Sequence, residues 1–464
     1  MRHFIDIILP IPLPKAFTYE ITKAEADFIK PGMRIAVPFG KQHIYTGLAQ
    51  AVHTQPPVAY DPKSIHQILD NTPLVTAKQL DHWQWISEYY MCSLGEVVRA
   101  ALPNAFLLES ETVILKRDNI DTSQIKLSDD EYLIYEALQH QSSLKIKDVS
   151  DILDRKRVIP ILNELVEKQV VNLQETLYEK YQPKQQRYLK LAEDLSSENH
   201  LKAVLEELSR APKQRETLMS MFSLSSTTKK PIKSTDITNL PNASTSALKA
   251  LIDKGYLSEY YVTESRVSYE GDASVEVKNL STDQENALTK INQEFQEKSV
   301  VLLHGVTSSG KTEIYVKLIK EQLEKRNQVL YLLPEIALTT QLVQRLQAYF
   351  GNQLAVFHSR YSNNERVEVY NNILNNRDTA QVVIGARSAL LLPFRSLGLV
   401  IVDEEHEPSY KQFDPAPRYH ARDAAIVLAK LFKAKTVLGS ATPSLESYFN
   451  ATQDKYGLVE LNQR

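Results

Sequence analysis

The hydrophobic pattern changes character along the chain, and each change marks a different kind of structure. At the N-terminus the runs are short and alternating. Phe4-Ile5-Asp6-Ile7-Ile8-Leu9 and Phe17-Thr18-Tyr19-Glu20-Ile21 read as strands. Pro31-Gly32 and Pro38-Phe39-Gly40 are turns that bracket a further strand over 33–37. Residues 80–90 then take a helical period, with Trp83, Ile86 and Tyr90 on one face. Residues 1–108 are therefore expected to form a β-rich domain closed by a helix. Its aromatic cluster Trp83, Trp85, Tyr89 and Tyr90 suits a core better than a ligand platform.

The middle of the chain turns helical. Helices are expected at 132–139, 147–153 and 158–168, followed by a strand at 170–173. A similar ending recurs, with a helix at 246–254 and then Gly255-Tyr256-Leu257 leading into Tyr260-Tyr261-Val262. Each ending has the form of a third helix and first wing strand, so 109–264 is read as a winged-helix-like α+β region. Such folds bind duplex DNA or serve as plain interaction modules, and the pattern does not choose. Ser, Thr, Lys and Pro crowd 223–245, which is expected to be mobile, and 265–279 reads as a linker.

From residue 280 onward strand and helix alternate. Candidate strands lie at 300–303, 328–333, 381–384, 399–402 and 435–438, and several are continuous apolar runs, the pattern of strands covered on both faces of a parallel sheet. The fold class that follows is multidomain: a β-rich N-terminal domain, a winged-helix-like middle, and an α/β lobe with a parallel sheet at 280–464.

Composition adds mainly exclusions. The 464 residues carry 54 basic and 57 acidic side chains, a net charge of -3, so any binding to nucleic acid must work through local patches. The single cysteine, Cys92, rules out an internal disulfide and a cysteine-rich zinc site, fits a reducing cytoplasm, and is read as a small packed hydrophobe. The N-terminus lacks a charged region followed by a long apolar core, and no apolar run approaches the length of a membrane span, so a cytoplasmic location is expected.

Two stretches carry the chemistry. Gly305-Val306-Thr307-Ser308-Ser309-Gly310-Lys311-Thr312 fits the phosphate-loop pattern and sits between a buried-type strand and an amphipathic helix, as that pattern requires. Lys311 is expected to reach the β- and γ-phosphates, and the Thr312 hydroxyl to ligate Mg²⁺. Asp403-Glu404-Glu405-His406 follows another strand. Asp403 is the better metal ligand and Glu404 the better base for orienting water. His406 is either a surface residue or a coupling residue beside the acids. Leu333-Pro334-Glu335-Ile336-Ala337-Leu338-Thr339, Gly385-Ala386-Arg387-Ser388-Ala389 and Gly439-Ser440-Ala441-Thr442-Pro443 lie at later strand ends, where an arginine such as Arg387 and small hydroxyl residues can grip a nucleic-acid backbone.

The order of Gln284, GVTSSGKT, LLPEIALT, GARSA, DEEH and GSATPS resembles that of superfamily 2 helicases. The spellings GVTSSGKTEIY, DEEHEPSYKQ, PRYHARD and GSATPSLES, with PLPKAFTYE, PGMRIAVPFGK and YYMCSLGEVVRAALP near the N-terminus, resemble the PriA family of primosomal replication-restart helicases. The resemblance runs over residues 1–464 and is weakest over 110–270. It implies a RecA-like motor lobe that hydrolyses ATP with Mg²⁺, 3′-to-5′ DNA unwinding, recognition of stalled forks and initiation of primosome assembly. It also implies that Gln284 contacts adenine. Tyr410, Lys411, Gln412, Phe413, Arg418, Tyr419 and His420 would form an aromatic-rich loop coupling DNA binding to ATP hydrolysis. Phe17, Thr18, Tyr19, Gly40 and Lys63 would form a pocket for a nascent DNA 3′ end.

Two substitutions depart from the family pattern: Thr18 stands where an aspartate is frequent, and Ala386 where a threonine is common. The resemblance further implies a second motor lobe, a zinc-binding insert, and single-stranded DNA-binding protein and other primosome proteins as partners. The second lobe and the zinc insert are not found in this sequence, so a fragment is expected, with no zinc of its own. An alternative function follows from that: a fork- or 3′-end-binding module that binds ATP without productive turnover.

Overall fold

The structure, a computed structural model, describes residues 2–463 apart from 41–42, 108–109, 118–126, 156–157, 169, 178–183, 193–194, 196–197, 228–230, 241–242, 264–266, 268–278 and 359. The chain divides into two compact units, residues 1–181 with 267–464, and residues 182–266.

The first unit opens with strands β1 (His3–Ile8) and β2 (Phe17–Ile21), helix α1 (Lys23–Phe28), and strands β3 (Arg34–Phe39), β4 (His43–His53) and β5 (Gln67–Ile68). These strands form an antiparallel sheet in the order β2-β1-β4-β3-β5. One face has its own core of Ile5, Ile7, Tyr19, Ile35 and Val37. The other gives Ile8 and Leu48 to a larger core that it shares with α2 (Ala77–Tyr89) and α3 (Leu94–Ala101). Both helices start at capping boxes, Thr76 with Gln79 and Ser93 with Glu96, which satisfy amide groups that a first helical turn leaves open.

A second three-helix arrangement follows in the same unit: β6 (Ser110–Lys116), α4 (Asp129–His140), β7 (Leu144–Lys145), α5 (Ile146–Leu153), α6 (Ile159–Glu167) and β8 (Val171–Leu177). The three helices and final strand were legible. The strand β6, central in the order β7-β6-β8, was not. The second unit has a related plan with one more helix: β9 (Gln185–Leu191), α7 (Glu198–Glu207), α8 (Pro212–Thr227), β10 (Ile232–Lys233), α9 (Ser234–Thr238), α10 (Thr245–Asp253) and β11 (Leu257–Thr263), its sheet ordered β10-β9-β11. Much of 223–245 is thus regular structure, with α8 running through Thr227 and α9 following. The expected linker lies almost wholly outside the described residues.

The remainder of the first unit is an α/β lobe. Its elements are α11 (Thr282–Glu297), β12 (Val300–Gly305), α12 (Lys311–Glu324), β13 (Gln328–Leu332), α13 (Thr340–Phe350), β14 (Leu354–Phe357), α14 (Asn363–Leu374), β15 (Val382–Gly385), β16 (Leu397–Asp403), α15 (Ala421–Phe432), β17 (Lys435–Ser440), α16 (Leu445–Thr452) and β18 (Gly457–Leu461). The strands form a parallel sheet in the order β14-β15-β13-β16-β17-β12-β18. β16 is the central strand and β12 lies two places from it, separated by β17, so the loops leaving their carboxyl ends converge on one edge of the sheet, where ligands of open α/β folds bind.

This lobe and the N-terminal domain share one core. Trp83 and Ile86 of α2, Val97 and Val98 of α3, and Phe106 belong to the same buried cluster as Tyr370, Leu391, Ala424, Ala425 and Leu428. Polar contacts follow the apolar seam. The Gln79 amide donates to the Leu391 carbonyl at 2.7 Å, and Tyr370 Oη donates to the Leu74 carbonyl at 3.2 Å. Among the described residues no helix is long and apolar enough to cross a membrane.

Candidate nucleotide and nucleic-acid sites

The segment between β12 and α12 closes into a cradle. Ser308 and Gly310 take positive φ, 65° and 86°, which turns the chain sharply before the helix starts. At Gly310 the positive φ favours glycine, and a Cβ there would lie 2.1 Å from Gln284 Nε2 and displace that amide. Gln284 locks this corner. Its Oε1 accepts from the Ser281 amide at 3.0 Å, and its Nε2 donates to the Ser309 carbonyl at 3.0 Å. The Lys311 ammonium donates to the Gly305 carbonyl at 2.9 Å and lies 3.9 Å from Glu404 Oε1. Ser309 Oγ is buried without a hydrogen-bond partner.

Opposite the loop stand the acids. Asp403 ends β16 and accepts from Tyr315 Oη at 3.1 Å, from Tyr331 Oη at 3.0 Å and from the Glu404 amide at 3.1 Å. Burial first, and then the neighbouring Glu404 charge, push its carboxyl above the usual aspartate range; the Tyr331 hydrogen bond, the Lys311 charge and the Tyr315 hydrogen bond oppose the rise. Both tyrosines are buried so deeply beside this acid that they stay protonated donors. Gly439 makes room for Tyr315, since a Cβ there would sit 1.7 Å from Tyr315 Oη.

A cavity of about 830 Å³ joins the two halves, lined by Thr307 to Glu313, Gln284, Asp403 and Glu404. The loop, Lys311, Thr312, Asp403 and Glu404 are thus together. Arg345 of α13, paired with Glu313, also lines this cavity and was not anticipated. An arginine in a helix without a motif gives no signal in one sequence. His406 faces Ser440, with Nδ1 2.8 Å from Ser440 Oγ and Nε2 3.4 Å from Thr442 Oγ1, so the acid run touches the GSATPS segment. The site fits a nucleotide and a divalent cation on three counts: the unpartnered Ser309 hydroxyl, the glycine turn, and an all-oxygen set from Thr312 and Asp403.

The loop after the acids has two kinds of aromatic residue. Tyr410 and Tyr419, expected in the aromatic-rich loop that couples DNA binding to ATP hydrolysis, do not present their rings to solvent: each is only 1% exposed. Tyr410 Oη reaches the Leu332 and Asp403 carbonyls at 3.0 and 2.6 Å, and Tyr419 Oη donates to the Arg387 carbonyl at 3.2 Å. In this structure they hold the loop down instead. Phe413 is 71% exposed and Arg418 is also open to solvent. Lys411 bridges to His420 across the loop's neck, and its ammonium lies 5.1 Å over the ring of Tyr90, the C-cap of α2. Arg387 donates to the Ser409 carbonyl at 3.2 Å.

In the N-terminal sheet, Phe17, Thr18, Tyr19, Gly40 and Lys63 line one pocket of about 280 Å³ with Tyr60 and Asp61. Phe17 and Phe39 meet edge to face at 4.9 Å, and Lys63 Nζ donates to the Gly40 carbonyl at 3.0 Å. Thr18 Oγ1 donates to Asp6 at 2.7 Å, and the Thr18 amide donates to Tyr60 Oη at 2.8 Å. Tyr60 and Asp61 were missed because they lie in an irregular stretch with no pattern of its own.

Residues 6–103 match the 3′DNA-binding domain (3′BD) of PriA, 186–264 the winged helix domain of PriA helicase from Bacteroidota, and 281–450 the DEAD/DEAH box helicase family. Replication restart protein PriA of Bacillus subtilis is 32% identical across all of this chain and 56% of its own length. That of Haemophilus influenzae is 32% identical over 99% of this chain and 52% of its own. That of Rickettsia felis reaches 47% identity over 40% of this chain and 28% of its own. The chain spans about half the length of the first two relatives.

Proposed function

Because this chain belongs to the PriA family of replication restart proteins, we propose that it supplies the ATP-binding motor lobe and DNA-binding domains of a DNA helicase that restarts replication. In this reading it works in the cytoplasm, engages stalled or abandoned forks, tracks 3′ to 5′, and helps to start primosome assembly with single-stranded DNA-binding protein and other primosome proteins. The observation that carries the proposal is the cavity joining the 305–312 loop to Asp403 and Glu404.

ATP and Mg²⁺ would enter that cavity, the cation offsetting charge that develops on the transferred phosphate. Lys311 would leave the Gly305 carbonyl for phosphate oxygens, and the loop amides would close on the same charge. Thr312 and Asp403 would hold the cation. Tyr315 and Tyr331 keep the Asp403 carboxylate oriented, and Glu404 would orient water. Gln284, whose amide already braces the loop, stands beside the cavity as the candidate for contact with adenine. Phe413, Arg418, Lys411 and His420 would meet single-stranded DNA, and the Phe17 pocket a nascent 3′ end.

Steady-state ATP hydrolysis measured with and without forked DNA tests the motor reading; stimulation by the fork is expected. Since the chain spans about half the length of its relatives, a second reading stays open: a fork-binding module that binds ATP without turnover. Nucleotide binding with no hydrolysis on any DNA would favour it.

A further inference from the structure

Glu405 is the acid of the 403–406 run to which the function above gives no role, yet it is the most completely enclosed, with no exposure. Its carboxylate accepts from the Ser444 amide at 2.7 Å, Ser444 Oγ at 2.9 Å, Ser447 Oγ at 2.8 Å and Arg422 Nη1 at 3.0 Å. Its amide donates to the Gly439 carbonyl at 3.1 Å. Arg422 is itself buried, and its Nη1 also donates to Ser444 Oγ at 2.6 Å. Three places are therefore clamped together: the end of β16, the start of α16, and the first turn of α15. The last of these begins where the neck of the 410–420 loop closes, with Lys411 bridged to His420.

The residue between the clamp and the strand is Glu404, and its φ is 47°. A non-glycine residue in the left-handed region is strained and persists only where its neighbours over-determine it. Here Asp403 is fixed by the tyrosines and Glu405 by its bonds, so the Glu404 backbone cannot relax without breaking one set. A charged pair removed from water gives little net stability, so its worth lies in the geometry it enforces.

We propose that Glu405 and Arg422 are positioning residues: they hold Glu404 in its strained conformation and transmit movement of the 410–420 loop on DNA binding to the nucleotide cavity. This rests on the reading that the cavity binds ATP and the loop binds DNA. Displacing the loop drags the first turn of α15, and with it Arg422, against a carboxylate one residue from Glu404. The two sites then share one clamp, and occupancy of either changes affinity at the other by the same factor.

The test uses the 464-residue chain, a fluorescent ATP analogue with Mg²⁺, and an oligo-dT strand. Analogue affinity is measured with and without saturating oligo-dT. The parent chain is expected to show at least about a fivefold difference, the low end of ordinary coupling. Removing one partner alone strands a buried charge and can unfold the lobe, so the informative variant is Glu405→Gln combined with Arg422→Met, which strands none. It is expected to fold, to bind analogue alone and oligo-dT alone within about twofold of the parent, and to lose the coupling. Arg422→Lys, which keeps the charge pair, should retain part of it, a graded response that a merely structural role would not give. A folded double variant with parental coupling overturns the inference while leaving the motor reading intact. So does a parent chain that binds both ligands with no coupling. A parent chain that fails to bind the analogue sinks the motor reading, and the inference with it.

Discussion

At the residue scale, Lys311 and Asp403 are the most exacting points of the proposed nucleotide site. Lys311→Ala should abolish measurable Mg-ATP binding and leave forked-DNA binding within about twofold, because the loop and the N-terminal pocket are built from different elements; titration with a labelled ATP analogue and a labelled fork checks both halves. Asp403 supports a pH prediction. Its folded-state pKa is raised, so as pH falls it takes a proton at a pH above the ordinary aspartate value of 3.8, and a protonated carboxyl cannot hold Mg²⁺. Mg²⁺-dependent nucleotide affinity should therefore drop on acidification earlier than an exposed aspartate would allow. Tyr331→Phe removes a hydrogen bond that favours the charged form, so it should move that drop to still higher pH. An unchanged midpoint in the variant would contradict the assignment. The motifs made this site legible, since strand, glycine loop and helix recur in a fixed order. The burial of Tyr410 and Tyr419 was not legible. A tyrosine in a loop reads the same whether its hydroxyl finds a carbonyl inside or its ring faces water.

At the scale of elements, continuous apolar runs announced the inner strands of the parallel sheet, while β14 and β18 passed unseen. Both are edge strands with one neighbour each: β14 is wholly apolar but only four residues long, too short to stand out, and β18 is interrupted by Glu460. The seam between α2 and α15 was likewise invisible. It contains His82, fully buried, with Nε2 2.9 Å from the Ala424 carbonyl and Nδ1 without a partner. Nε2–H donates, so protonation at Nδ1 would leave a buried charge uncompensated, and burial lowers the pKa to about 4. The group is neutral in the fold, so its contribution is complete above the unfolded pKa near 6.5 and is lost as pH falls toward 4. The loss amounts to about 3 kcal/mol, at 1.36 kcal/mol per pKa unit. Thermal melting should show this as a falling midpoint across that window, and His82→Gln, which still donates to Ala424, should flatten it. An equal slope in both proteins would rule out His82 as the cause.

At the scale of the whole molecule, the N-terminal pocket is where sequence and structure agree most economically. Five residues scattered from 17 to 63 meet in one depression, although the strand β4 that joins them was not foreseen. A fork with a free 3′ hydroxyl at its junction should bind more tightly than the same fork carrying a 3′-phosphate. The preference should be modest, since the Thr18 hydroxyl is occupied by Asp6. Phe17→Ala should erase it; equal binding of both forks by the parent chain would end the pocket reading. The parts that resisted reading, above all residues 177–222, carry neither motif nor sustained period, and their helices owe their place to partners distant in sequence.

The core shared by α2, α3 and the parallel-sheet lobe has a practical consequence for anyone who wishes to dissect the protein. Family boundaries suggest a cut near residue 104, as though the end-binding portion were a bead on a string. A gene opened there would release a motor with Tyr370, Leu391 and the inner face of α15 bared to water, and a β-domain whose Trp83 and Ile86 had lost their cover. Both halves should precipitate or cling to each other when mixed. Protease digestion of the intact chain should spare that junction.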